Sequence, residues 1–161
     1  MLDFPNACAS DDEWYEYAQQ RCEDLKPHLE NFILERFSYK PRYVQQRLYG
    51  SGITISALTK QYDLYLRLFI RPREFWPREC LVLARLMFKQ QRAGHGRALV
   101  DRLLNIAPEF GYRYLAIECA NANASAFARR MGFTPYEDGR HWVGSIEAIR
   151  AALPISSTQV A

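Results

Sequence analysis

No apolar run in this chain approaches the roughly 18 residues that a bilayer-spanning helix needs, and its first residues lack the basic start and apolar centre of a secretory leader. A cytoplasmic location with no membrane partner is therefore expected. Cysteine is sparse: Cys8, Cys22, Cys80 and Cys119 form no C-x-x-C pair, which argues against zinc or a disulfide framework and for free thiols. The three histidines, His28, His95 and His141, stand apart in sequence, so no metal site is expected. Neither sign of charge dominates, since 21 Lys and Arg against 18 Asp and Glu leave a net charge of +3. Basic residues do gather at Arg36, Lys40, Arg42 and Arg47, and again at Arg67, Arg71, Arg73 and Arg78, with aromatic residues among them. Nucleic-acid binders use that composition, but it is ordinary on loops beside any cleft, and nucleic acid is not expected as a partner.

At 161 residues, 48% of them hydrophobic and 24% charged, the chain has the size and make-up of one globular domain. A single domain over 1–161 is expected, with helices in 10–40, the sheet and binding core in 52–146, and a loose polar tail in 154–161. Ser10 and Glu13 have the spacing of a capping box, and Trp14, Tyr17, Ala18, Cys22 and Leu25 then recur on one helical face. Pro27 is expected to end this helix and start a second, with Leu29, Phe32, Ile33 and Phe37 as its buried stripe. Gly52 to Leu58 and Asp63 to Ile70 read as two strands of a hairpin turning at Thr59-Lys60-Gln61. The prolines of Arg71 to Arg78 end the second strand. Antiparallel strands followed by a strand-helix-strand unit give an α/β fold with a mixed, mainly antiparallel sheet flanked by helices.

The centre of the chain is Cys80 to Ala107. Cys80 to Phe88 is a near-continuous apolar run, broken by Arg85, that suits a strand covered on both faces. From Ala98 the apolar residues take helical spacing. Between them Gln91-Arg92-Ala93-Gly94-His95-Gly96 places two glycines where the backbone bends tightly into the helix and where a Cβ would hold a ligand off. Unpaired N–H groups and the helix dipole at such a start suit a phosphate, and Arg92 and Arg97 reinforce the field. This is not a Rossmann fingerprint, because Leu99 stands where a third glycine is needed, and it lacks the Gly-Lys-Ser/Thr of a P-loop.

Gln/Arg-x-x-Gly-x-Gly/Ala directly after an apolar strand resembles the acetyl-CoA pyrophosphate loop of the GCN5-related N-acetyltransferase (GNAT) superfamily. A strand over Tyr114 to Cys119 then leads into Asn121-Ala-Asn-Ala-Ser-Ala-Phe-Ala-Arg-Arg-Met-Gly-Phe133, similar to the superfamily's Asn-x-x-Ala-x-x-Leu-Tyr-x-x-x-Gly-Phe segment. The resemblance covers Glu79 to about Val143. It implies a GNAT-like fold in which the N-terminal helices wall the acceptor pocket. Such chains open with a strand before the first helix, and Met1 to Phe4 is a poor candidate for one. Beyond Phe133, Thr134 to Glu137 and His141 to Ile146 flank the Asp138-Gly139 hairpin dipeptide, and Ile146 to Leu153 has room for one or two helical turns.

The resemblance further implies acetyl transfer from acetyl-CoA to an amine. Gln91, Arg92, Gly94, His95, Gly96 and Arg97 would form the pyrophosphate turn. Backbone groups of Leu86 and Phe88 would hold the pantetheine amides as an added strand would, and Asn121 would contact the cofactor. His95, at the variable position between the glycines, is taken as a loop residue rather than a general base. A homodimer is among the arrangements such chains adopt. The superfamily's acid, a tyrosine that protonates the departing CoA thiolate, falls on Ala128 here. Tyr136, Ser125 and Cys119 are the nearby alternative donors, and Glu118, ahead of Glu79, is the carboxylate placed to take the amine's proton. The alternative is a catalytically impaired GNAT-fold binding or structural protein, such as a phage virion or assembly component.

Overall fold

The computed structural model describes residues 4–38, 44–49, 52–69 and 75–153. Its first element is one long helix, α1 (Asp11–Phe37), where two were expected. Ser10 and Glu13 form the capping box, and three acidic residues meet the positive end of the helix dipole in the first turn. Pro27 lies inside α1 and does not break it. Proline removes the hydrogen bond to the carbonyl four residues back; here that residue is Glu23, and both Glu23 and Pro27 are exposed, so water can serve the freed carbonyl. On the opposite stripe Leu25, Leu29, Phe32 and Ile33 are buried. Each such side chain contributes about 1.5–3 kcal/mol, which outweighs the cost of the proline.

The strands follow as β1 (Val44–Tyr49), β2 (Gly52–Leu58), β3 (Tyr62–Phe69) and β4 (Cys80–Phe88). β1 was not anticipated, and among the described residues it is the first strand, placed after the helix rather than before it. Residues 1–3, on which the question of an opening strand turned, lie outside the described residues, as do Ile70, 71–74 and the tail 154–161. Then come α2 (His95–Ile106), a 3-10 turn at Ala107–Phe110, β5 (Tyr114–Ile117), α3 (Ala122–Arg130), β6 (Thr134–Pro135), β7 (Trp142–Ser145) and α4 (Ile146–Ala152).

The seven strands form one sheet in the order β1-β2-β3-β4-β5-β7-β6. All neighbours are antiparallel except β4 and β5, which run parallel with Cys80 opposite Tyr114 and Leu83 opposite Ile117. Alternation decides the faces. Ile53, Ile55, Leu64, Leu66, Leu81, Leu83, Leu115 and Ile117 join the main core under α1 and α2, while Cys80, Val82 and Ala116 form a smaller cluster with Trp76 on the other face. The expectation that β4 is covered on both faces holds only for Cys80 to Leu83; beyond Ala84 it alternates between half-buried and exposed. Two features cause this. The pairing with β3 shifts between Tyr65 and Leu66 and leaves Ala84 without a partner there, a β-bulge, and β5 ends at Ile117, abreast of Leu83.

Candidate functional site

The parallel pair β4 and β5 ends in two strand-turn-helix connections, and most residues singled out from sequence fall in or beside them; Glu79 instead precedes β4 at the opposite end of the pair, and Tyr136 follows β6. In the first, Arg92 and Gly94 both adopt left-handed backbone, with φ of 58° and 79°. Gly94 is the N-cap of α2, and no side chain caps this helix. Among the described residues, no acceptor takes the amides of Arg92, Ala93, Gly94, His95 or Gly96; the first bond of the helix runs from Ala98 N to Gly94 O. A Cβ on Gly94 would meet nothing within 4 Å. The turn is thus a set of outward-facing donors at a helix N-terminus with open space above it, the environment an anion occupies. Gln91 and Arg92 are exposed beside it, and Arg97 lies 3.8 Å from Asp101 one helical turn on.

Gly96 serves a different purpose. Its missing Cβ would sit 3.2 Å from the Phe127 ring of α3, so glycine lets the two helices approach. The His95 ring packs against Phe37 and Phe88, with centroids 4.6 and 5.3 Å away, and its Nδ1 accepts from Arg36 Nε at 2.9 Å. Desolvation first, and the Arg36 charge second, lower the His95 pKa. Its neutral ring therefore fastens the end of α1 to the start of α2, where His95 is the first helical residue and not the loop residue expected.

The second component is an open strand edge. Lys89 N donates to Gln61 O across the β3 side. Strand residues alternate the direction of their N–H and C=O groups, so Leu86 and Phe88 turn theirs toward the β5 side. There the last rung is Glu118 N to Leu83 O at 3.0 Å, and β5 goes no further. Beyond that rung the edge of β4 is free of β5 and pointed at the α2 turn.

The second connection differs. Asn121 is the N-cap of α3, and its Oδ1 accepts from Ala124 N at 2.9 Å. Glu118 is held 3.1 Å from Arg67 Nε on β3; the nitrogen is not aligned for a hydrogen bond, so the contact is an ion pair. This carboxylate is paired rather than isolated. Glu79 is likewise 3.3 Å from Arg113. Ala128 is fully buried. Of the three alternative acids, Ser125 accepts from Trp142 Nε1 at 3.3 Å. Tyr136 donates to Phe75 O at 2.8 Å and stacks on the Phe75 ring, and burial raises its pKa; its phenol fastens the segment preceding β4. The third, Cys119, is exposed, with Sγ 3.6 Å from His141 Nε2. This contact was missed from sequence because 22 positions separate the two residues. The Asp138-Gly139 turn, which sets Asp138 three residues before His141, was a clue to the Asp138–His141 contact but not to Cys119.

An α/β sheet with one parallel pair parting over an uncapped helix start defines the GNAT-like class of fold. Residues 65–133, from within β3 to just past α3, match the acetyltransferase (GNAT) family, and this stretch is similar to that family. No curated protein matches it by sequence. Similar solved structures include GCN5 of Tetrahymena, 16% identical over 90% of this chain and 96% of that one, with a TM-score of 0.43. The GNAT family N-acetyltransferase YhbS from Escherichia coli in complex with CoA is 15% identical over 77% and 78%, at 0.41. AtaTR bound with acetyl-CoA is 18% identical over 88% and 92%, at 0.44.

Proposed function

We propose that this protein is an acyl-CoA-dependent N-acetyltransferase that moves an acetyl group from acetyl-CoA to an amine. The observation that carries the proposal is the row of uncommitted amides from Arg92 to Gly96 at an uncapped helix start, adjoining a strand edge that its neighbour leaves open. The first suits a diphosphate and the second an extended chain bearing amides, which are the two recognisable parts of CoA. Arg92 adds charge to the turn, Gln91 flanks it, and Arg97 extends the field along the helix. Leu86 and Phe88 supply the strand-like hydrogen bonds, and Asn121 completes the cradle from the second connection while capping α3. Acetyl-CoA supplies an activated thioester carbonyl.

The acceptor must present a neutral amine, since an ammonium has no lone pair, and an amine of pKa near 10 needs a proton acceptor close by. Glu118 stands next to the end of β5 for this role, with Arg67 as the partner it would release. Calorimetry with acetyl-CoA tests the reading. Binding by the native chain and none by Gly94→Trp, whose side chain would fill the space above the turn, is the expected result. Lack of binding by the native chain at high micromolar ligand overturns it.

A further inference from the structure

Beside the amine-transfer site the fold builds a second chemical unit that the reading above does not use. Cys119 Sγ lies 3.6 Å from His141 Nε2, and His141 Nδ1 lies 2.5 Å from Asp138 Oδ2. Asp138 is itself fixed, because its Oδ1 accepts from the amides of Arg140 and His141 at 2.9 and 3.0 Å. With Nδ1–H directed to the carboxylate, Nε2 keeps its lone pair toward the sulfur. Thiol, imidazole and carboxylate thus stand in the order nucleophile, base and orienting group. Among the described residues no group of three or more His, Cys, Asp and Glu side chains is disposed to cage a metal ion.

The backbone gives a second, independent indication. Cys119 sits at a sharp strand-to-helix turn between β5 and α3 with a left-handed φ of 49°. A non-glycine residue held there stores on the order of 1–3 kcal/mol of strain. Nucleophiles presented at the tip of a strained strand-to-helix elbow have this geometry. The thiol is exposed, and its residue follows directly on Glu118, whose amide makes the last rung before β4 and β5 part. The elbow therefore stands at the mouth of the open edge. The imidazole is braced from the other side by Phe75 and Trp76, with ring centroids 4.8 and 5.6 Å away.

We infer that Cys119 is a covalent acyl carrier: its sulfur takes the acetyl group from acetyl-CoA as a thioester before the amine receives it. This rests on the proposed use of acetyl-CoA. In the first half-reaction the Cys119 sulfur attacks the acetyl carbonyl as His141 takes the thiol proton. The bond from the carbonyl carbon to the CoA sulfur breaks, and His141 returns the proton to that sulfur, releasing CoA thiol. In the second half-reaction the amine nitrogen attacks the Cys119 thioester, His141 accepts the amine proton, the carbon-sulfur bond breaks, and the proton restores the Cys119 thiol. No oxidant or reductant is needed. His141 thereby does the work of the acid whose place Ala128 has taken, and Asp138 is a positioning residue.

The test is intact-protein mass spectrometry on the full chain, acid-quenched after mixing with acetyl-CoA and no acceptor. The native protein is expected to gain one acetyl group, located on Cys119 and removed by hydroxylamine. Cys119→Ser is expected to form none of this hydroxylamine-labile adduct, and His141→Gln to slow it by roughly 10²- to 10⁴-fold. Without any CoA, iodoacetamide should alkylate Cys119 faster than the other exposed cysteine, Cys8, and His141→Gln should erase that advantage. If calorimetry shows acetyl-CoA bound while rapid quenching finds no acetyl on Cys119, or if Cys119→Ala transfers at the native rate, the thioester step is overturned and the acetyltransferase reading stands. If acetyl-CoA does not bind at all, both fall.

Discussion

The two parallel strands end in connections that look alike in outline and differ in what they leave unsatisfied. After β4 the chain enters α2 through Gly94, with no side chain on the helix start; after β5 it enters α3 through Asn121, whose side chain takes the amide of Ala124. The first turn exports its dipole and its donors to whatever binds. The second spends its donor internally and instead projects a strained cysteine toward a histidine. One helix start thus leaves its amides unspent and the other commits one to its own cap, and a glycine against an asparagine at the cap position is the smallest description of the difference.

The sharpest way to break this contrast is through ligand affinity. Arg92→Glu should weaken CoA by about tenfold to a hundredfold, the equivalent of a charge-assisted contact of roughly 1.5–3 kcal/mol. A pantetheine fragment lacking the diphosphate should bind the variant as it binds the native protein, and added salt should weaken CoA alone. Equal losses for both ligands, read by calorimetry, would remove the anion role from the first turn. The next effect is on stability. Gly96→Val drives a branched side chain into the Phe127 ring and should cost about 1–3 kcal/mol in urea unfolding, part of which Phe127→Leu in the same chain should restore.

A smaller effect is expected at the second turn, where Asn121→Ala removes a cap worth about 1 kcal/mol. Thermal unfolding should register that loss and calorimetry a modest fall in CoA affinity; unchanged affinity would mean that Asn121 serves the helix alone. The smallest effect is a pH dependence. Because the folded state lowers the His95 pKa, the unfolded chain binds the extra proton first as pH falls. The contribution of His95 is fully present above the ordinary histidine pKa of about 6.5, declines as pH falls below it, and levels off below the folded value. Unfolding of native protein and His95→Gln between neutral and mildly acidic pH should show the native curve losing more stability on the acid side.

Much of the contrast was legible in the chain itself. The apolar run Cys80 to Phe88 coincides with β4, and the hairpin at Thr59-Lys60-Gln61 joins β2 and β3, because these segments carry local patterns that packing reinforces. The glycines of the first turn declared a left-handed backbone at Gly94. Pro27 misled, since a proline's local penalty says nothing of which face it occupies, and here the lost bond falls on the wet side of α1. β1 was missed because Val-Gln-Gln-Arg offers little apolar alternation until β2 pairs with it. The Cys119 and His141 contact was illegible for a topological reason. It forms only when β7 lies antiparallel to β5 and sets Trp142 opposite Ile117, a pairing no local pattern reveals.

Phe127 resting on the bare Cα of Gly96 has a consequence for how wide the space between the two strand ends is held. That contact is dispersive and has no preferred direction, so it behaves as a spacer whose thickness is set by atomic radii. Each carbon added on either side would wedge the helices apart by a fraction of its own diameter. A single methyl is then a natural unit for tuning the width of that space.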